Sequence, residues 1–296
     1  MTIPVTASLA EMASMAPSSG GQYHWVSEFA PPSLQKILSY CSGWLAAMGW
    51  QAFIASTSYT TAQQIFIVAS VHNPNFQPTQ WQSCLFTIGI ALFAALFNAF
   101  LAKRLPMFEG VVLFCHLLGF FAVMIPLWVL APKVSLDLVF GAPGFENFGG
   151  WSSIGAACVV GQLAASSAFV GVDSAAHMAE EVCARLTIRL PETITNAVKV
   201  KNASLTVPRM MLGTTLINGA MGLVATITYM LVIQDVEQQI LGSSSAYPWI
   251  EVFEAATGSK AAAVGMSIPF ILITLGMAIN STAAASRQAW SFARDG

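Results

Sequence analysis

Six long apolar stretches run through this chain and restrict its fold more than any other feature of the sequence. Each is as long as, or longer than, the roughly 20 apolar residues with which an α-helix crosses a bilayer. They cover residues 37–64, 82–102, 107–131, 151–179, 206–234 and 261–286. Because backbone groups in lipid must be satisfied internally, such stretches fold as helices. The sequence predicts an all-α polytopic membrane protein with one transmembrane domain over residues 1–296.

The composition excludes several other classes of protein. Only 9% of the residues are charged, against about a quarter in soluble domains. A net charge of −2 without a basic cluster argues against a nucleic-acid partner. The cysteines form no C-x-x-C pair, and no zinc-protease or serine-hydrolase motif occurs. We therefore expect no metal, no cofactor and no enzyme activity, and a lipid bilayer as the surroundings.

The distribution of basic residues gives an orientation. Ten of the 12 lysines and arginines fall in one set of alternate loops, and only Lys133 and Lys260 fall in the other. Lysine and arginine favour the cytoplasmic side of membrane proteins. The sequence thus predicts that residues 132–150 and 235–260 face outward and that both ends of the chain lie in the cytosol.

The stretch "FVGVDSAAHMAEE", residues 169–181, breaks the fourth apolar run with a glycine and an acid. Asp173 is the deepest acid of the six stretches, and ionisable residues at such depth are functional by default. Gly171 weakens the helix at the same place. Irregular backbone at membrane depth is tolerated where it lines a cavity, and its carbonyls and amides can bind an ammonium and a carboxylate. We expect an interrupted helix here; a loosely packed continuous helix is the alternative.

Four segments carry a resemblance to a known family: "SLAEMASMAPSSGGQYHWVSEFAP" (8–31), "GWLAAMGWQA" (43–52), "FVGVDSAAHMAEE" (169–181) and "NSTAAASRQAWSFARDG" (280–296). Together they make the chain resemble the amino acid–polyamine–organocation permease superfamily, in its fungal GABA/choline permease branch, nearly from end to end. The resemblance implies a LeuT-like fold of inverted repeats, of which this chain covers the end of the second helix to the eighth. The first helix and helices nine to twelve are absent by this comparison.

The resemblance also implies candidate site residues. Substrate contacts would come from the unwound segment Phe169, Val170, Gly171 and Val172. Proton coupling or gating would fall to Asp173, with His177 and Glu11 as further candidates. His177 lies one helical turn after Asp173 and could share a hydrogen bond with it or only satisfy helix-end groups. Polar residues with a lesser claim to line the pathway, by bonding across helices, are Asn218, Asn280 and Ser281.

An insertion separates this chain from the family pattern. Removing residues 182–199, "VCARLTIRLPETITNAVK", joins Glu180 and Glu181 to "VKNAS" as relatives commonly read. Val182–Cys183 can be encoded by a splice-donor sequence and Thr195–Asn196 by a branch-point sequence. We expect a translated, retained intron in a cytosolic loop; a genuine loop insertion is the alternative.

The resemblance implies a secondary active transporter of amino acids or related amines, GABA-like or choline-like. It would work by alternating access with the proton as coupling ion. The plasma membrane is the expected location, with a vacuolar or other endomembrane as the alternative. The competing hypothesis is a truncated, non-transporting permease fragment, either a gene-model artefact or an interaction partner of a full-length homologue.

Overall fold

The computed structural model describes residues 2–73, 76–141, 145–178, 192–243 and 248–295, without the side chains of 192–202. These residues form α-helices joined by turns: α1 Thr2–Met15, α2 Gln22–Phe29, α3 Gln35–His72, α4 Gln80–Leu101, α5 Leu105–Leu130, α6 Leu136–Phe140, α7 Ile154–Ser167, α8 Ser174–His177, α9 Glu192–Val232, α10 Trp249–Thr257 and α11 Lys260–Asp295. The prediction of an all-helical chain is confirmed for the described residues.

The six apolar stretches all fall on helices, but the helices and the stretches differ in length. Five stretches coincide with α3, α4, α5, α9 and α11, whereas the stretch 151–179 is divided between α7 and α8. Helix α3 continues to His72 and α11 to Asp295. Helical hydrogen bonding does not depend on the apolar character of the side chains, so a helix can extend past the limits that hydropathy sets.

Local signals in the sequence explain where several helices begin and end. Thr79 and Gln82 form a capping box at the start of α4, with the Thr79 amide donating to Gln82 Oε1 at 2.8 Å. A proline stands in the first turn of α5, where its missing N–H removes no helical bond. Gly258 closes α10 in the left-handed conformation, with φ 66°.

Three helical stretches of the described residues are long and apolar enough to cross a membrane: Gln80–Leu130, Ala203–Val232 and Lys260–Asp295. The first contains both α4 and α5, joined by the 3-10 turn Ala102–Arg104. Helix α7, with 14 residues, is apolar but shorter. Helices α4, α5, α9 and α11 therefore have the composition of membrane-spanning helices.

The chain divides into two compact units. Unit 1 consists of residues 1–54, 165–219 and 280–296. Its core cluster packs small side chains of α1 and α8 against larger ones from α2 and α9: Ala10, Ala13, Trp25, Ala176, Val207 and Met211. Small residues allow helix backbones to approach closely, which is how helices associate in lipid.

Unit 2 consists of residues 55–164 and 220–279 and contains a larger core. Val123 and Leu127 of α5 pack there with Val252 and Phe253 of α10. Glycines bring α5 and α11 together, since a Cβ on Gly119 would lie 2.6 Å from the Pro269 ring. Asn98 of α4 donates its amide to Ile279 O at 2.9 Å, a polar bond of the kind that joins helices in membranes.

The predicted intron segment lies partly outside the described residues. Residues 182–191 are outside the described residues, and residues 192–199 form the first turns of α9. The retained-intron hypothesis therefore stays a prediction, to be decided by sequencing the transcript.

Tyr23 fixes α2 to the end of α11 within unit 1. Its side chain is buried, and its hydroxyl lies 2.8 Å from Ser291 Oγ and donates to Asp295 Oδ2 at 2.9 Å. The Phe292 ring packs beside it with the ring centroids 5.2 Å apart. Burial raises the pKa of Tyr23 to about 12, and the neighbouring Asp295 carboxylate adds to the rise.

We expect the titration of Tyr23 to show this burial directly. The difference in ultraviolet absorbance between the wild type and Tyr23→Phe, followed as the pH is raised, should have its midpoint near pH 12. An ordinary tyrosine has its midpoint near pH 10. The raised pKa means that folding favours the protonated hydroxyl. Its contribution to stability is therefore complete below about pH 10 and is lost as the pH rises through about 12. A midpoint near 10 would show a solvated hydroxyl and contradict the packing of α2 on α11.

Candidate functional site

The fourth apolar stretch is interrupted in the structure as the sequence predicts. Helix α7 ends at Ser167, residues 168–173 form turns, and α8 begins at Ser174. Gly171 has φ 89°, a conformation that favours glycine because it carries no Cβ. The Phe169 amide bonds three residues back to Ser166 O at 3.1 Å, and the helix resumes beyond the break.

The interruption leaves peptide groups without helical partners. Within the described part of the chain, the amides of Gly171 and Val172 donate no backbone hydrogen bond. Buried peptide groups are nearly always paired with protein, water or ligand. The turn at 168–173 therefore has donors to offer to a ligand.

Asp173 is the last residue of this turn, and a glutamine from α2 holds its side chain. Gln22 Nε2 donates to Asp173 Oδ2 at 2.6 Å, and the Asp173 side chain is 17% exposed. A carboxylate oxygen accepts and the amide nitrogen donates, so this contact fixes which way the Gln22 amide faces. The other atom of that amide, Gln22 Oε1, is buried and has no hydrogen-bond partner among the described residues.

His177 of α8 is fully buried and joins three parts of unit 1. Trp50 Nε1 of α3 donates to His177 Nε2 at 3.1 Å, and His177 Nδ1 lies 2.8 Å from Ser19 O. Because an indole N–H can only donate, Nε2 accepts and Nδ1 carries the proton. His177 Nε2 also lies 3.5 Å from Asp173 Oδ2, so the imidazole is close to the carboxylate as well as to Trp50.

The turn before α2 depends on glycine at the same place. Gly21 has φ 57°, and a Cβ there would lie 2.7 Å from His177 Cε1. Both the conformation and the close approach exclude a side chain at this position. The "GG" of the sequence thus seats the turn directly on the buried histidine.

A cavity of 370 Å³ opens in unit 1 beside the interrupted helix. Its lining combines one carboxylate, one amide, one hydroxyl and two aromatic rings with small and apolar side chains: Gln22, Ser42, Leu45, Ala46, Gly49, Trp50, Phe53, Val170, Gly171 and Asp173. The volume lies in the range of small-molecule sites, and so does a mostly apolar lining with a few polar groups. The Trp50 and Phe53 rings are packed edge to face, with centroids 5.8 Å apart.

The structure brings three of the predicted site residues to this cavity, namely Val170, Gly171 and Asp173. Phe169 and Val172 do not line it. The Phe169 ring lies beside Gly219 of α9, 3.5 Å from where a Cβ would stand, and Val172 packs on the α1–α9 core cluster. His177 lies behind the cavity and reaches it only through its neighbours Trp50 and Asp173.

The remaining predicted residues lie away from the cavity lining. Glu11 is exposed on α1, and Asn218 is exposed on α9. Ser281 of α11 is buried, and Asn280 Oδ1 is buried without a hydrogen-bond partner among the described residues. The pathway and gating roles suggested for these four residues stay predictions.

The sequence alone does not identify the residues of α2 and α3 that line the cavity. Gln22 lies in a segment that resembles the family but contains no predicted site residue near it. Trp50 and Phe53 look like ordinary apolar residues of a long helix. One signal was present: the α3 lining residues Ser42, Leu45, Ala46, Gly49, Trp50 and Phe53 recur at helical spacing on one face. That spacing predicts a packed face as readily as a cavity wall.

Comparison with known proteins places this chain in a family. The model of the amino acid permease family matches residues 1–296. A choline transporter of Saccharomyces cerevisiae is 28% identical over 299 residues, which cover 100% of this chain and 49% of that protein. An uncharacterised amino-acid permease of Schizosaccharomyces pombe is 28% identical over 303 residues, covering 99% of this chain and 50% of that protein.

A transmembrane transporter of Metarhizium robertsii is likewise 28% identical over 298 residues, covering 97% of this chain and 52% of that protein. The chain thus spans about half the length of these curated relatives. No solved structure matches it. The resemblance to fungal amino acid and choline permeases is confirmed, and since the matched model covers the whole chain, this protein belongs to the amino acid permease family, whose members are multi-pass integral membrane transporters and not enzymes.

Proposed function

We propose that the protein is a secondary active transporter of amino acids or related small amines, GABA-like or choline-like, working by alternating access. The observation that carries the proposal is the interrupted helix beside the cavity. A break with Gly171 at φ 89° stands next to an acid on a cavity of 370 Å³. Broken helices at the binding site are the usual construction of secondary transporters.

The cavity is complementary to a small ammonium compound. The Asp173 carboxylate provides a negative charge, and Trp50 and Phe53 present aromatic rings, which attract cations through their faces. The Gly171 amide, which donates no backbone hydrogen bond among the described residues, suits a carboxylate at the other end of the ligand. A zwitterionic amino acid would find a partner for each of its charges.

Asp173 is the best candidate for coupling to protons. A carboxylate with little exposure can bind a proton or the ammonium group of a substrate, but one carboxylate cannot neutralise both. This competition links the two binding equilibria, and Gln22 and His177 are close enough to respond to the state of Asp173. Whether the proton and the substrate move in the same or in opposite directions depends on the side of the membrane to which Asp173 releases each of them.

We further propose that the chain forms part of a LeuT-like arrangement of inverted repeats. It would reside in the plasma membrane or, alternatively, in the vacuolar or another endomembrane. The long apolar helices α4, α5, α9 and α11 support the membrane position. The distribution of lysine and arginine supports cytosolic ends.

Uptake by cells tests the proposal. A fungal strain without its own amine permeases, expressing the chain, should accumulate labelled GABA, choline or another small amine in a saturable way. Collapsing the proton gradient with an ionophore should remove the accumulation but leave exchange of labelled for unlabelled substrate. Absence of both accumulation and exchange for every amine, with the chain present in the membrane, would contradict a transport role for this chain.

The competing hypothesis is a non-transporting partner of a full-length homologue, and the half-length coverage of the relatives favours testing it. Co-expression of the chain with such a homologue separates the two. A partner would change uptake by the homologue and purify with it. A transporter would act without it.

A further inference from the structure

One polar atom at the cavity is left unsatisfied by the described residues. Gln22 lines the cavity, and its Oε1 is buried without a hydrogen-bond partner. The opposite assignment of the amide is excluded by chemistry. Turning the amide over would place Oε1 against Asp173 Oδ2, where now Nε2 donates at 2.6 Å, and two acceptors would face each other.

An unsatisfied buried acceptor determines which ligand fits. Leaving such an oxygen unpaired costs about 1–3 kcal/mol, which a ligand recovers only by donating an N–H or O–H to it. Trp50, the indole in the lining, already donates its N–H to His177, so it has no donor to spare. A ligand in the cavity can supply the donor that Gln22 Oε1 lacks.

We propose that Gln22 makes this cavity select amines that retain N–H groups over fully N-methylated ones. The inference rests on the proposed function and specifies the substrate class of the same site. A primary ammonium donates one N–H to Gln22 Oε1 and another to the Asp173 carboxylate beside it. A trimethylated ammonium has no N–H and leaves Oε1 unpaired.

The aromatic rings of the cavity do not distinguish these ligands, because Trp50 and Phe53 attract both kinds of cation. Discrimination therefore depends on the two groups that accept an N–H, Gln22 Oε1 and the Asp173 carboxylate. Sites that hydrogen-bond a substrate N–H reject an analogue without it far more strongly than apolar pockets reject an extra methyl group.

GABA and its N-trimethyl derivative test the inference, because they differ only in the three N-methyl groups and the trimethyl derivative has neither an N–H nor an O–H. Equilibrium binding of each labelled compound is measured to the purified chain in lipid nanodiscs. We expect GABA to bind roughly 10-fold or more tightly than its trimethyl derivative. Equal binding, tighter binding of the trimethyl derivative, or binding of neither compound would overturn the inference without any variant being made.

Gln22→Met locates the preference in one side chain. Methionine keeps the length of glutamine and removes both polar atoms, so the ratio of the two affinities should fall, leaving only the part of the preference that Asp173 supplies. Gln288→Met is the matched control: Gln288 also has a buried Oε1 without a partner among the described residues, but it does not line the cavity. The control should keep the wild-type ratio, and a ratio unchanged in Gln22→Met would assign the preference elsewhere.

This measurement is independent of transport. Uptake of amines by cells without a preference for N–H donors would remove the role of Gln22 and leave the proposed function standing. Selective binding to the chain without uptake would remove the transport proposal and leave the role of Gln22 standing.

Discussion

Replacing His177 with leucine should lower the free energy of unfolding by about 3 kcal/mol, one of the largest stability effects of any single change in unit 1. The side chain is fully buried and bonds to Trp50 on one side and to Ser19 O on the other. Leucine fills a similar volume but leaves the Trp50 N–H buried without its acceptor and removes the donor to Ser19 O. The turn containing Gly21, which rests on the imidazole, would lose its support.

Unfolding by denaturant in detergent micelles, followed by tryptophan fluorescence, measures this loss. His72→Leu is the control, because His72 is exposed at the end of α3 and should change stability by less than about 0.5 kcal/mol. A cost for His177→Leu no greater than that of the control would show that the bonds to Trp50 and Ser19 do not hold the turn, α3 and α8 together.

Replacing Asp173 with asparagine should abolish proton-driven accumulation of substrate in the uptake assay. Asparagine has the same shape and its side-chain oxygen can still accept from Gln22 Nε2, so the fold of the turn is retained. The variant cannot bind or release a proton at this position, and it offers no charge to an ammonium group. Binding should weaken by roughly 10-fold to 100-fold, since hydrogen bonds to charged groups contribute about 1.5–3 kcal/mol.

The informative readout compares accumulation with exchange. We expect Asp173→Asn to exchange substrate at raised concentrations while losing its response to the proton gradient. Asp137→Asn makes the same chemical change at an exposed position of α6 and should behave like the wild type. Proton-driven accumulation at the wild-type level in Asp173→Asn would remove Asp173 from coupling and direct attention to another titratable group.

Much of the helical organisation could be read from the sequence, because hydropathy depends on the residues themselves. Apolar stretches predicted where α4, α5 and α11 lie to within a few residues at their starts, and Gly171 with Asp173 predicted the break after α7. The far ends of α3 and α11 were not predicted. Hydrogen bonding along a helix continues into polar segments that a hydropathy pattern treats as loop.

The candidate site was predicted only on one side. Val170, Gly171 and Asp173 lie at the cavity, while Phe169 and Val172 point into packing contacts. In a turn, successive side chains leave the backbone in different directions, so a continuous run of residues cannot all face one ligand. The sequence identifies the segment, but the backbone angles decide which of its side chains reach the cavity.

The sequence by itself determined that the chain is helical and suited to a membrane, that it resembles amino acid permeases, and that one helix is interrupted beside an acid. These properties follow from composition and local conformational preference, which each segment carries wherever it is placed. Only the tertiary structure decided that Gln22, Trp50 and Phe53 form the opposite wall of the cavity, and that His177 is a buried connector. Residues so distant along the chain meet because apolar helix faces pack together, and that packing depends on shape complementarity between whole helices.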